Sequence, residues 1–168
     1  LLKDEENRME KREITEEQAL QRLAGLCSRG EYCSYDMTEK MRRWGLSETA
    51  QARVMAELVK GRYVDDSRFC RMFVRDKLKF NKWGRRKIEQ ALWAKRIDES
   101  VYRPFLDEVS LEEYSEILMP MLKAKRKSIK AASDYERDMK LIKYAMGRGF
   151  TMDVIKQCLN TDIEYAED

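Results

Sequence analysis

The sequence predicts an all-α fold of three tandem three-helix repeats forming an elongated, curved helical body. Three observations carry that reading. An apolar triplet spaced i, i+4 and i+9 occurs three times, as Met37, Met41 and Leu46, as Ile88, Leu92 and Ile97, and as Leu141, Ala145 and Phe150, at offsets of 51 and 53 residues. Each triplet is followed at the same place by a capping residue, Ser47, Asp98 or Thr151. Each cap then opens another amphipathic stretch, through Val54 and Leu58, Phe105 and Val109, or Val154 and Leu159. The composition agrees: of 168 residues 39 % are charged, and only two prolines and seven glycines interrupt them, a balance that favours helix over sheet. A unit of three short helices buries a small core by itself, so tandem units gain stability from their neighbours.

The expected boundaries are a charged lead-in over residues 1–14, repeats over 15–61, 62–109 and 110–160, and an acidic tail over 161–168. Thr15 to Gln18 matches a capping box, in which hydroxyl and amide satisfy first-turn N–H groups reciprocally. A helix then runs through Ala19, Leu20, Leu23 and Leu26 and stops near Gly30. Cys33 or Ser34 opens a second helix with Met37 and Met41 inward, ending at Gly45, and Ser47 caps a third that ends at Gly61. In the middle repeat Asp65 or Asp66 is the N-cap. Phe69, Cys70, Phe73, Val74 and Phe80 then fall on one side of a helix, with Arg68, Arg71, Arg75 and Lys79 on the other. Asn81 to Gly84 breaks that pattern. The next helix sets Ile88, Ala91 and Leu92 inward and Arg86, Lys87, Gln90 and Trp93 outward. Capping boxes at Ser110–Glu113 and Ser133–Glu136 place helices near 111–127 and 134–147. Pro120 is expected to kink or interrupt the first of these, and Pro104 raises the same difficulty after Asp98. The tail, with Asp162, Glu164, Glu167 and Asp168, is expected to be disordered.

The charge is concentrated. Between Arg68 and Arg96 stand eleven basic residues against only Asp76 and Glu89, a local charge of +9 in a chain whose net charge is +3. A face built for solubility usually mixes both signs, so this stretch reads as a surface for something acidic, against the plainer reading of two amphipathic helices with solvated charges. Lys123, Lys125, Arg126, Lys127 and Lys130 make a second basic patch.

Other function classes recede. The chain has no histidine, which removes the Ser–His and Cys–His nucleophile pairs and the commonest general base. Cys27, Cys33, Cys70 and Cys158 show no C-x-x-C spacing, so reduced cysteines are expected rather than a zinc site or a disulfide framework. The adjacent Asp65 and Asp66 read as caps rather than as catalytic acids, and Tyr32, Tyr35 and Tyr63 as packing between helices. Trp83, among lysines and arginines, is open to two readings: stacking on a base or packing between repeats. No apolar run has bilayer length and no signal-peptide pattern opens the chain. A cytoplasmic protein is expected, with an N-terminus trimmed or incomplete because the first residue is Leu.

Several of these residues together resemble a known family. Tyr63-Val-Asp-Asp66, Arg68-Phe69, Phe73-Val-Arg75, and Gly84 with Arg86-Lys87-Ile88 are similar to the signature of RecX, the bacterial regulator of the recombinase RecA. Ala19-Leu20, Leu23-Ala24, Glu31-Tyr32 and Lys40-Met-Arg-Arg-Trp-Gly45 resemble the opening repeat of that family, and the likeness extends over residues 16–160. Cys33 stands where the family has a capping serine, Arg96-Ile97 replaces its Gly-apolar turn, and Trp93 replaces a basic residue. The resemblance implies three three-helix repeats and a regulator that lies in the groove of the RecA filament on single-stranded DNA. Such a regulator inhibits or otherwise adjusts filament growth, ATP hydrolysis and strand exchange in recombination, DNA repair and the SOS response. It brings no catalytic residue, no metal and no cofactor, and it implies a monomer with at most weak direct DNA contact. The expected filament-binding residues are Arg68, Arg71, Arg75, Lys79, Lys82, Trp83, Arg85, Arg86 and Lys87, with the 123–130 patch as a second contact. Two alternatives stand beside this reading. One is a helical-repeat DNA-binding module acting without RecA; the other is a protein-only scaffold facing an acidic partner.

Overall fold

The computed structural model describes residues 14–167. Among them the chain is helical throughout, with no strand: α1 (Glu16–Cys27), α2 (Ser34–Arg43), α3 (Glu48–Lys60), α4 (Asp66–Asp76), a π-helical turn (Lys77–Asn81), α5 (Arg85–Ala94), α6 (Glu99–Asp107), α7 (Leu111–Ser128), α8 (Asp134–Gly147) and α9 (Met152–Glu167). The lead-in over 1–14 lies outside the described residues except for Ile14. Beyond Asn160 the backbone of α9 continues to Glu167, and Asp168 lies outside the described residues.

The chain divides after Phe69 into two compact units. In the first, α1 and α2 both pack on α3. Leu23, Met37, Met41, Val54, Leu58 and Val64 make the core, with Leu20, Leu26 and Leu46 half-buried against it. In the second unit α5 packs on α6, and α7, α8 and α9 pack on one another. Ile88, Leu92, Leu141 and Ala145 are sealed from solvent, and Ile97 and Phe150 nearly so. The first two members of every triplet are sealed from solvent. The third is buried in two of them and half-buried at Leu46, and all three triplets share a backbone feature. The residue before each third member takes a left-handed conformation, Gly45 at φ 80°, Arg96 at φ 54° and Gly149 at φ 92°. That turn ends the second helix of each repeat and frees the next to begin. Arginine adopts it at Arg96, where the conformation is costlier than for glycine.

The caps follow the sequence closely. Thr15 Oγ1 accepts from Gln18 N at 3.1 Å while Gln18 Oε1 accepts from Thr15 N at 3.1 Å. Ser110 and Glu113 close a second box. At Ser133 the hydroxyl accepts from Glu136 N, but the returning carboxylate accepts from Ala132 N at 3.0 Å instead of from the cap itself. Cys33 takes the N-cap position of α2, and its N–H donates to Asp36. Neither proline ends its helix: Pro104 lies within α6 and Pro120 within the 18-residue α7. Pro120 and Glu116, whose carbonyl lacks the N–H that proline cannot supply, are both exposed, on the side of α7 where the missing bond costs least.

The clearest departure is at the end of α4. Phe69, Cys70, Phe73 and Val74 are buried as expected, yet Phe80 is 70 % exposed. The cause is the π-helical turn at Lys77–Asn81. Its i→i+5 bonding advances each residue through a smaller angle, leaving Phe80 roughly a quarter turn from where an α-helix would carry it. Leu78 takes the inward place, 5 % exposed. The pattern break therefore begins at Lys77, four residues before Asn81.

Candidate functional site

The basic stretch begins where α4 is secured. Asp65 is its cap, with Oδ1 accepting from Arg68 N at 3.0 Å. Asp66 does something the sequence does not suggest: its carboxylate accepts from Ser34 N at 2.7 Å and Ser34 Oγ at 2.8 Å. It thereby satisfies first-turn donors of α2, 32 residues away in the chain, where Cys33 is a weak cap.

The arginines expected to face solvent alone have partners. Arg68 donates to Glu31 through Nε and to the carbonyls of Arg62 at 3.1 Å and Tyr63 at 3.3 Å through Nη2. It clamps the turn after α3, where Arg62 is held at φ 58°. Arg71 stacks over Phe105, 5.3 Å from the ring centre. Arg75 pairs with Glu113 at 2.7 Å and Arg85 with Asp107 at 2.6 Å. The Arg75 bond, helped by the Ser110 N–H, holds the Glu113 carboxyl below its ordinary pKa. Arg68, Arg75 and Arg85 are therefore matched by carboxylates that the stretch itself does not contain.

The lysines are freer. Lys79 lies over the exposed Phe80 ring at 5.4 Å, and Lys82 is exposed and left-handed at φ 55°. Lys82 and Arg86 form no ion pair among the described residues. Trp83 is half-buried, with Lys77 and Lys87 ammonium groups at 5.0 and 4.9 Å from its ring. Those two cations lie against the half-buried Trp83 ring, whereas the neighbouring Phe80 ring is 70 % exposed with the Lys79 ammonium over it. Just beyond, Gly84 N donates to Arg148 O at 2.8 Å and Arg86 N to Gly149 O at 2.9 Å. These bonds pin the start of α5 to the end of α8.

The second patch divides. Lys125 turns over Tyr144 at 5.2 Å, and the Lys130 carbonyl accepts from Lys140 at 2.8 Å. Lys123, Arg126 and Lys127 line an open hollow of about 480 Å³ with Ile129 and Arg137. Arg137, from α8, was not anticipated. Its proximity depends on how α7 and α8 fold back on each other, which local charge counting cannot register. Among the described residues no group of three or more histidine, cysteine or acidic side chains could hold a metal, and no helix is long and apolar enough to cross a membrane.

A tandem-helical protein with a cationic surface on its middle helices is the class that fold and charge define. Two family models match the chain: that for the second three-helix domain of RecX over residues 65–103 and that for the third over residues 112–159. The chain belongs to the RecX family. It is 25 % identical over 134 residues to the regulatory protein RecX of Bacillus mycoides, covering 76 % of this chain and 50 % of the relative. Against the RecX of Lactobacillus johnsonii it is 26 % identical over 135 residues, covering 80 % and 50 %. The chain thus spans about half the length of these curated relatives. In structure it is similar to RecX from Lactobacillus salivarius, with TM-score 0.78 and 17 % identity over 87 % of this chain and 95 % of that one. It is likewise similar to a second crystal structure of regulatory protein RecX, with TM-score 0.79 and 19 % identity over 86 % and 73 %. At those identities the likeness shows the fold.

Proposed function

We propose that this chain binds the RecA recombinase–DNA filament in the cytoplasm and restrains recombinase activity in recombination and DNA repair, without catalysis of its own. One observation supports this above the rest: the cationic surface of α4, the π turn and α5 lies inside the segment that matches the second RecX domain. Such a surface suits the phosphates and acidic side chains that a nucleoprotein filament presents. The contacts fall on the side chains free to make them, namely Lys79, Lys82, Arg86 and Lys87, with the hollow at Lys123, Arg126 and Lys127 as a second point. Arg68, Arg75 and Arg85 hold the scaffold that presents these groups. Co-sedimentation with RecA filaments on single-stranded DNA tests the reading, with bare DNA as control. Filament-dependent binding that is lost on reversing Lys82 and Arg86, with helical content unchanged, is the expected result. Equal binding to bare DNA and to filaments would favour a DNA-binding module that acts without the recombinase.

A further inference from the structure

The π turn at Lys77–Asn81 carries two local conformations that a chain rarely adopts without cause. The first is π-helical hydrogen bonding, which recurs at functional sites in proteins. The second is a left-handed lysine, Lys82 at φ 55°, immediately after it. The π turn leaves Phe80 outside the apolar face, 70 % exposed, and the left-handed Lys82 ends it two residues later. Leu78 fills the inward position and the π turn packs on α7, so Phe80 is left outside the core.

The surroundings of Phe80 identify what it could meet. Lys79, Asn81 and Lys82 are all exposed, and the Lys79 ammonium lies 5.4 Å from the ring centre. Lys77 and Lys87 sit a few residues away around Trp83. An apolar protein hot spot draws on apolar neighbours and excludes water, and here the neighbours are cations. A mostly exposed aromatic ring among lysines suits a nucleobase, which displaces the Lys79 ammonium from the ring and leaves it to a flanking phosphate.

We infer that Phe80 is a base-stacking platform for single-stranded DNA, with Lys79 and Lys82 holding the flanking phosphates. This goes beyond filament binding: it assigns a direct contact with the DNA bases and is testable without recombinase. The experiment measures fluorescence anisotropy of the chain with a short labelled oligothymidylate at low salt. It compares that ligand with the same backbone carrying abasic sites, for the unmodified protein, Phe80→Ala and Phe80→Trp. Expected is about a tenfold weaker affinity of the unmodified protein for the abasic strand, the scale of one lost stack. Phe80→Ala loses a similar factor on oligothymidylate but no longer distinguishes the two strands, and Phe80→Trp restores the distinction. Phe80 is mostly exposed, so circular dichroism of the variants should match that of the unmodified protein. The inference is overturned if the unmodified protein fails to bind or binds both strands alike, or if Phe80→Ala weakens both strands equally. It is also overturned if Phe80→Ala impairs only binding to recombinase filaments, which would leave the filament reading standing with Phe80 as a protein contact.

Discussion

Replacing Gly84 with alanine tests how closely two backbones meet in the second unit. Gly84 has φ −79° and ψ 171°, which any residue can adopt, so conformation alone predicts no cost. Sterics predict a large one. A Cβ on Gly84 would lie 2.5 Å from Gly149 O and well inside contact distance of Phe150 N and the Gly149 carbonyl carbon. All are backbone atoms, which cannot swing aside as a flexible side chain would. Relief requires parting the start of α5 from the end of α8, where Gly84 N and Arg86 N donate to the carbonyls of Arg148 and Gly149. Overpacking costs about 1–3 kcal/mol, and two such hydrogen bonds contribute about 0.5–1.5 kcal/mol each, so Gly84→Ala should destabilise by about 2–6 kcal/mol. Gly45→Ala supplies the opposite case. A Cβ there meets nothing within 4 Å, and only its φ of 80° opposes alanine, at a cost of about 1 kcal/mol. Denaturant unfolding followed by circular dichroism and by tryptophan fluorescence measures both, and Trp83 reports from next to the lesion. Coincident probes license a two-state free energy, a needed check in a chain with two compact units. A Gly84→Ala value within about 0.5 kcal/mol of the unmodified protein, or a Gly45→Ala value larger than it, refutes the close approach.

Leu92→Ala, at a fully buried position, should cost about 2–5 kcal/mol in the same assay. Arg68→Glu should lower the thermal midpoint clearly, since it removes bonds to two carbonyls and sets a carboxylate against Glu31, whereas Arg86→Glu should leave the midpoint nearly unchanged. The Tyr114 hydroxyl is buried without a hydrogen-bond partner among the described residues, and burial pushes its pKa up to about 12. Its proton is therefore favoured by the folded state, stability is whole below pH 10 and is lost as pH rises toward 12, and Tyr114→Phe should be neutral or stabilising while removing that alkaline loss. The Glu113 carboxyl is held low by Arg75, so its contribution is present above the ordinary carboxylate range and fades as pH falls through the lowered value. Arg75→Gln should flatten that acid limb in a pH series of midpoints.

How much of this was legible before folding depended on range. Caps are written within four residues, so Thr15, Ser47, Asp98 and Ser110 could be read directly. The repeat was legible because a core contact recurs as a spacing, and Met41, Leu92 and Ala145 announce one another across 51 and 53 residues. The site was less legible for the same reason. Arg68 meets Glu31 across 37 residues and Arg75 meets Glu113 across 38, and no local window contains both partners. Counting charge along the chain therefore does not show which charges already have partners, such as Arg68, whose bonds tie down a turn. Of the two N-cap candidates for α4, Asp65 takes the role, and Asp66 instead satisfies donors of α2, 32 residues away.

The π turn shows where such reasoning fails and why the failure is informative. Helical phase accumulates, so one change of pitch misplaces every later residue until something resets the count. Here the reset is Gly84, whose backbone is bonded to Arg148 before α5 begins and Ile88 returns to the core. The misread interval is thus bounded by Leu78, the last buried residue of α4 and its π extension, and by Gly84, the next buried one. Within it Lys79, Phe80, Asn81 and Lys82 are all exposed and bear no packing duty. Folding requires neither an aromatic ring nor two lysines at these four places, and an exposed phenylalanine is an unfavourable choice for solubility. Their identities should therefore change stability little and binding strongly. A surface selected only to be solvated would show neither effect.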